Sequence, residues 1–306
     1  MAGPKGKADR ELTRRSSVSW RGPGPGRPDL PLPPAALPLL HRGLMRKRWR
    51  YVGFYGEDLM LCLATVLIGP FRQCFWSLWD RESGAVLEHT QLRPGRQEVA
   101  MEGAYVELRA DRSPAGPVRA SLVLGPSEPI EAVCPSGRGW GWTRKRAGVP
   151  IAGRVELGGT VRQIDGLGVD DESAGFQARH TGWLWSAGIG VATDGRALGW
   201  NLVSGINDPD TGSERAVWVE GEPYEPAPVV FDGLDGVSFA GPEPGRPQGR
   251  HRLEFHPGAG AERVRHDDFL IVRSDYVHRF GTFTGSLDGI ELESGAGVME
   301  EHRAVW

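Results

Sequence analysis

From Tyr51 to the end of the chain, short apolar or alternating runs are broken every few positions by Gly, Pro, Asn or Asp, and few windows sustain a 3.6-residue period long enough for a helix. A chain patterned this way satisfies its backbone and buries its apolar faces by pairing strand with strand. Arg50–Tyr55 turns at Gly56, Glu57 and Asp58 into Leu59–Leu67, which passes Gly69 and Pro70 into Phe71–Trp79. This is the pattern of an antiparallel meander with a turn residue at each corner. Further runs lie near 105–110, 118–124, 176–180, 184–191, 197–203, 216–219, 251–255, 269–273 and 278–284, and Asp194-Gly195 is the favoured two-residue hairpin turn. The 44 glycines and 24 prolines supply such corners, and 11 tryptophans supply a heavy aromatic interior.

At 306 residues the chain can form one large β domain or two packed halves. No strict repeat marks a propeller or solenoid. The Gly-rich passage from Gly137 to Gly153 reads as a link, which divides the chain into an N-terminal β lobe over 31–145 and a C-terminal β lobe over 146–306. Residues 1–30 combine Lys5, Lys7, Arg10, Arg14 and Arg15 with a Pro/Gly run from Gly22 to Pro28, the composition of a disordered basic tail. Basic residues continue through Arg42, Arg46, Lys47, Arg48 and Arg50, and with a net charge of only −3 the remainder is acidic. Such a lead-in can make weak contact with an anionic surface, but a charge run is more often a solvated face, and no nucleic-acid partner is expected.

The longest apolar run, Leu59–Phe71, is interrupted by Gly69 and Pro70 and is too short to span a bilayer as a helix, so no stable membrane insertion is expected. No basic segment followed by an apolar stretch opens the chain in the manner of a signal peptide. Cys62, Cys74 and Cys134 are odd in number and form neither a C-x-x-C pair nor a disulfide framework, which suits a reducing, cytoplasmic setting.

The residues that could carry chemistry are densest between Asp170 and Glu214. Period two places Trp183 and Trp185 on one face of a strand with Ala187 and Ile189, and on the return strand Trp200 and Leu202 share a face while Asn201 takes the other. If both strands wrap a cavity, one wall is aromatic with polar groups near its end, the usual lining of a small-molecule pocket; the plainer reading is a tryptophan-filled barrel core. Asp171 is the candidate general acid, because apolar rings beside a carboxyl disfavour its charged form, and His180 is a candidate partner or alternative base. An Asp before Ser and Gly is also a common turn former. Asn207–Glu214 resembles a calcium loop only superficially, with Gly212 at the wrong offset and no closing Glu, and reads as a surface turn. The eight histidines form no ligand-spaced cluster, and neither a nucleophile elbow, an H-E-x-x-H pair nor a phosphate-binding loop occurs. No metal or cofactor is expected.

Taken together, Lys47–Gly53, Gly139–Pro150, Asp171–Gly175, His180–Trp185 and Asp194–Asn201 resemble the domain of unknown function family 2804, over roughly residues 30–306. That family is more distantly similar to the two-lobed lipocalin-like group that contains carotenoid hydratase, tocopherol cyclase and AttH-type proteins. The resemblance implies an all-β fold of two packed antiparallel lipocalin-like barrel lobes around an apolar pocket. It also implies cofactor-independent chemistry on an isoprenoid, lipid or polyketide-like molecule, in which an alkene is protonated or a cyclisation guided. Several members of that group carry an Asp-His-x-Trp-Gly type motif whose Asp is a candidate acid. The matching positions here are Asp171, Glu172, Ser173, Ala174 and Gly175, so the Asp and Gly are kept while the His and Trp are not. Trp140 and Trp142 join Trp183, Trp185, Trp200 and Asn201 as candidate ligand-binding residues. Two further readings stay open: a carrier with the same cavity and no chemistry, and a structural or interaction protein with a filled core.

Overall fold

The computed structural model of the chain describes residues 19–22, 26–92, 96–239, 251–269 and 272–306, and among these every regular element is a β-strand. The first strands are β1 (Trp20–Arg21), β2 (Leu40–His41), β3 (Leu44–Met45), β4 (Lys47–Tyr55), β5 (Leu59–Ile68), β6 (Phe71–Asp80) and β7 (Val86–Gln91). They are followed by β8 (Val99–Glu102), β9 (Tyr105–Ala110), β10 (Val118–Leu124), β11 (Ile130–Ser136), β12 (Gly139–Leu157) and β13 (Thr160–Gly175). Next come β14 (His180–Ala192), β15 (Ala197–Ser204), β16 (Ala216–Val219), β17 (Glu222–Tyr224) and β18 (Val229–Phe231). The last four are β19 (Gly236–Phe239), β20 (Arg252–Phe269), β21 (Val272–Leu287) and β22 (Ile290–Val305). Among the described residues no helix is long and apolar enough to cross a membrane.

Two antiparallel sheets hold nearly all of these strands. The first, of 11 strands, runs β7-β6-β5-β4-β13-β12-β10-β9-β8, with β11 on β12 and β1 on β11. The second, of nine, runs β17-β16-β15-β14-β22-β21-β20-β19-β18, and β2 pairs with β3 separately. Each sheet curls into a half-barrel, bringing β8 back over β5 and β6 in one and β18 over β15 in the other. The all-β, two-lobed architecture implied by the sequence is therefore the one the chain adopts.

Alternation decides how the lobes fill. In β5, Leu59, Leu61 and Leu63 enter a core inside the first curl with Phe54 and Trp76, whereas Met60, Cys62 and Ala64 enter a second core between the two sheets. A strand buried on both faces has no polar side to show, which is why the longest apolar run of the sequence is a central strand. The second curl has its own core around Trp200, Leu202, Phe255 and Phe283. Trp140, Trp142, Phe176 and Leu32 close one end of the first lobe, with Trp20 packed against them.

Three expectations are corrected. The lobe division predicted near residue 145 falls inside β12, a single strand from Gly139 to Leu157; the chain passes from the first sheet to the second between Gly175 and His180. The glycines of that passage serve close approach and bending. A Cβ on Gly139 would stand 1.9 Å from the Phe176 carbonyl oxygen, and Gly148, at φ +65, sits in the bulge between Ala147 and Val149 where β12 changes register against β13. The run near 176–180 is this connection rather than a strand, with Phe176 and Gln177 fully buried beneath it. Lastly, residues 1–18 of the predicted tail lie outside the described residues, but Trp20 and Arg21 pair with Val133 and Ala132. They are held by the packing of Trp20 and by the Arg21 guanidinium, which donates to the carbonyls of Ser213 and Arg215 at 2.6 and 2.9 Å.

The contact between β4 and β13 sets the frame for everything downstream. A Cβ on Gly168 would lie 1.9 Å from the Gly53 carbonyl oxygen, so the two strands can approach only because that side chain is missing. Gly168→Ala is expected to destabilise the fold by about 2 kcal/mol or more, read as a lower urea midpoint at an unchanged slope.

Candidate functional site

Two rows of side chains, one on each sheet, face each other between the lobes. On the first sheet the register lines up Lys145, Asp171, Tyr51, Ala64 and Phe75 across β12, β13, β4, β5 and β6. On the second it lines up Val203, Trp185, Glu300, His278 and Arg263 across β15, β14, β22, β21 and β20. Because directly opposed residues share a face, each row projects together. Between them lies a cavity of about 150 Å³, lined among others by Tyr51, Phe75, Asp171, Trp183, Trp185 and Glu300. That volume suits a single aromatic ring.

One end of the cavity carries a buried ion cluster. Lys145 Nζ lies 2.5 Å from Asp171 Oδ2 and 3.3 Å from Glu214 Oε1, and all three side chains are almost wholly buried. Glu214 comes from the loop between β15 and β16. It accepts from Asn207 Nδ2 at 2.8 Å, while its carbonyl accepts from Asn201 Nδ2 at 2.9 Å. Asn201 Oδ1 in turn accepts from Trp185 Nε1 at 2.8 Å, which fixes the ring that walls the cavity. Burial pushes the Asp171 and Glu214 carboxyls above their ordinary values, against the pull of Lys145. Burial also works against the Lys145 ammonium, but the two carboxyls outweigh it and its pKa is raised. Two carboxyls sharing one ammonium away from water carry least net charge when they retain one proton between them. Asp171 Oδ1 is buried without a hydrogen-bond partner.

The opposite wall is built around Glu300. Its Oε1 accepts from Trp183 Nε1 at 2.8 Å and its Oε2 from the Tyr276 hydroxyl at 2.9 Å, yet burial prevails over both and pushes its pKa up to about 7. Burial, with the nearby Arg263 charge, holds His278 neutral with a pKa of about 3, and its Nε2 stands 3.1 Å from the Tyr51 hydroxyl across the lobe boundary. Arg263 itself bridges the lobes, pairing with Glu88 at 2.6 Å, donating to Thr90 Oγ1 and lying over the Phe75 ring at 4.5 Å. Trp49 stacks on Trp183 at 6.2 Å, and Tyr51 meets Trp185 edge-on at 5.2 Å.

Of the residues singled out from sequence, Asp171, Trp183 and Trp185 line this cavity, and Asn201 supports it from behind Trp185. The others lie elsewhere. His180 is exposed at the start of β14 and shares no hydrogen bond with Asp171. Trp200 falls on the opposite face of β15, where its Nε1 donates to Ser186 Oγ at 3.1 Å and its ring fills the space above Gly188. Trp140 and Trp142, even-numbered on β12, point away from the face that carries Lys145 and pack in the end cluster, with Trp142 Nε1 donating to Glu131 at 2.5 Å. The surface-turn reading of Asn207–Glu214 is also corrected, since Asn207, Ser213 and Glu214 are all buried and the turn delivers Glu214 to Lys145. Lys145, Glu214, Tyr51 and Glu300 had no spacing signal; the one available cue was alternation, which sets Lys145 on the opposite face of β12 from its neighbours Arg144 and Arg146. Among the described residues no group of His, Cys, Asp and Glu is disposed to hold a metal ion.

A family model described as "Domain of unknown function (DUF2804)" matches residues 104–306, which takes in Lys145, Asp171, Glu214 and Glu300 and leaves out β4 to β6. Among solved structures, a candidate AttH from Nitrosomonas europaea is 12% identical, with 88% of this chain and 97% of that one covered and a TM-score of 0.41. Kievitone hydratase from Nectria haematococca is 10% identical over 84% of this chain and 88% of that one, with a TM-score of 0.47. CghA with Sch210972 is 12% identical over 85% and 88%, with a TM-score of 0.39. No curated protein sequence matches the chain.

The raised pKa of Glu300 gives the fold a definite pH response. From about 4.5, its ordinary value, to about 7 the folded protein holds this proton more tightly than the unfolded chain, so its contribution favours folding below that window and is lost as pH rises through it. Glu300→Gln is expected to remove this loss, so that its unfolding free energy gains on that of the parent between pH 5 and pH 8 by on the order of 3 kcal/mol at most, read as a melting temperature that rises relative to the parent's over that range. A constant difference across that range would contradict a buried, proton-holding Glu300.

Proposed function

This chain belongs to the DUF2804 family, and for it we propose cofactor-independent acid–base chemistry on a small apolar molecule whose unsaturated or aromatic part enters the cavity between the lobes. The observation that carries this reading is Asp171: a buried carboxyl with one oxygen on Lys145 and the other, unpartnered, in a cavity walled by Tyr51, Trp183 and Trp185. A carboxyl whose charged form is disfavoured by burial holds its proton more readily and is placed to donate it, and the Asp171 and Glu214 carboxyls that share the Lys145 ammonium can take a proton back. Protonation of an alkene carbon by Asp171 forms the C–H bond and leaves a cation beside aromatic faces that attract positive charge. Water then adds to the cation and its proton returns to the Asp171 carboxylate, which completes a hydration. Attack by a second double bond followed by proton loss completes a cyclisation instead. Cys62, Cys74 and Cys134 are free and buried, which supports the cytoplasmic placement in this reading.

Incubation with 4-vinylphenol, which offers one ring, one hydroxyl and one polarisable alkene, tests binding and chemistry together. The parent is expected to show quenched tryptophan fluorescence and slow formation of the benzylic alcohol. Asp171→Asn is expected to bind within a few-fold and to lose roughly 10²-fold or more in turnover. Binding without turnover in the parent would make the protein a carrier; no binding at all would sink both readings in favour of a structural role.

A further inference from the structure

The face of the first sheet turned away from the second lobe carries a different site. Consecutive residues of a strand point to opposite sides, so Asp170 and Glu172 project into the first curl while Asp171 projects out of it. The neighbouring strands add Arg144 and Arg146 from β12, Arg48 and Arg50 from β4 and Arg72 from β6. Together they ring a cavity of about 870 Å³ whose floor is made of Val99, Leu124 and Met101, at the edge of the apolar core.

The arginines are not alike. Asp170 pairs with Arg50 at 2.8 Å and with Arg146 at 2.7 Å, with side chains 15%, 13% and 9% exposed for Arg50, Arg146 and Asp170, and Glu172 pairs with Arg48 at 2.5 Å. These pairs hold the guanidinium groups in place. Arg72 and Arg144 are exposed at the rim and have no hydrogen-bond or ion-pair partner among the described residues. Five arginines against two carboxylates leave three positive charges uncompensated around one cavity. A guanidinium fork matches the two oxygens of an oxyanion, and a cavity of this size over an apolar floor has room for much more than a bare ion. The basic run of the sequence divides its members: Lys47 is buried with its Nζ on the Gln177 carbonyl at 2.8 Å, whereas Arg50, half-buried, and Arg48, exposed, line this bowl.

We propose that the bowl in the first lobe is a second ligand site, separate from the cavity between the lobes, and that it takes an amphiphile with an oxyanion head and an apolar tail. Arg72 and Arg144 take the head, and the tail lies on Val99, Met101 and Leu124.

The test is calorimetric titration of the full chain with dodecanoate, dodecyl phosphate, dodecanol and inorganic phosphate. Dodecanoate or dodecyl phosphate is expected to bind one to one, whichever is tighter identifying the head group, with an affinity that falls as salt is raised. Arg72→Gln and Arg144→Gln, both at exposed positions, are expected to melt as the parent does and each to weaken that binding about tenfold. Arg144→Lys is expected to fall between, since it keeps the charge and loses the fork. Asp171→Asn leaves it unchanged if the ligand sits in the bowl. Dodecanol binding as tightly as dodecanoate, inorganic phosphate binding as tightly as dodecyl phosphate, no binding by any probe, or full affinity in both glutamine variants would each overturn the proposal.

Discussion

A lysine ammonium taken out of water has to be paired, and the way Lys145 is paired ties the molecule together. One partner, Asp171, lies on the next strand of the same sheet; the other, Glu214, is delivered by a loop of the second lobe. Neither lobe alone offers both. The cluster therefore favours the arrangement in which the two half-barrels dock face to face, and the aromatic contacts of Trp49 with Trp183 and of Tyr51 with Trp185 fill the remaining boundary. Arg263 repeats the device at the other end of the cavity, reaching from β20 to Glu88 on β7. Positive charges from opposite lobes thus bracket an apolar space. The price of that burial is visible in the carboxyls, which hold protons more readily than exposed ones do.

A single sheet also separates two chemically different places. The β13 sequence Asp170-Asp171 puts one carboxyl on each side of it, so a shift of one residue in register would exchange the contents of the bowl and of the cavity. Glycines at close approaches prevent such a shift. Gly168 lies against the Gly53 carbonyl, Gly199 against Ala147 of the facing lobe and Gly141 against Asn207, and in each case a Cβ would meet its neighbour at 2.8 Å or less. The backbone approach and the charge pattern specify the same register, a consistency between levels that marks a well-determined fold.

Much of this was present in the one-dimensional pattern. Strand character, the shared face of Trp183 and Trp185 and the interest of Asp171 all follow from local chemistry and a period of two, as does a hairpin corner at Asp194-Gly195, although residues 193–195 form a three-residue loop there in place of the two-residue turn expected. The glycine passage around Gly148 shows where local reading goes astray: flexibility in a linker and close packing in a bent strand use the same residue, and only the neighbours tell them apart. Trp200 and Trp142 illustrate the same point for aromatics, because each has the right residue type and lies on the wrong face for the cavity.

The sequence by itself determined that this chain is built of antiparallel strands, which residues share a face within each strand, and that an acidic residue would stand near tryptophans. Those properties depend on backbone geometry and on neighbours a few positions away. Only the tertiary structure decided that Lys145 meets Glu214, that Glu300 takes the Trp183 N–H and the Tyr276 hydroxyl, and that five arginines close around a second cavity. These depend on which strands become neighbours and which faces of the two sheets meet. That choice is made by the burial of apolar surface and charge over the whole chain, and no local pattern records it.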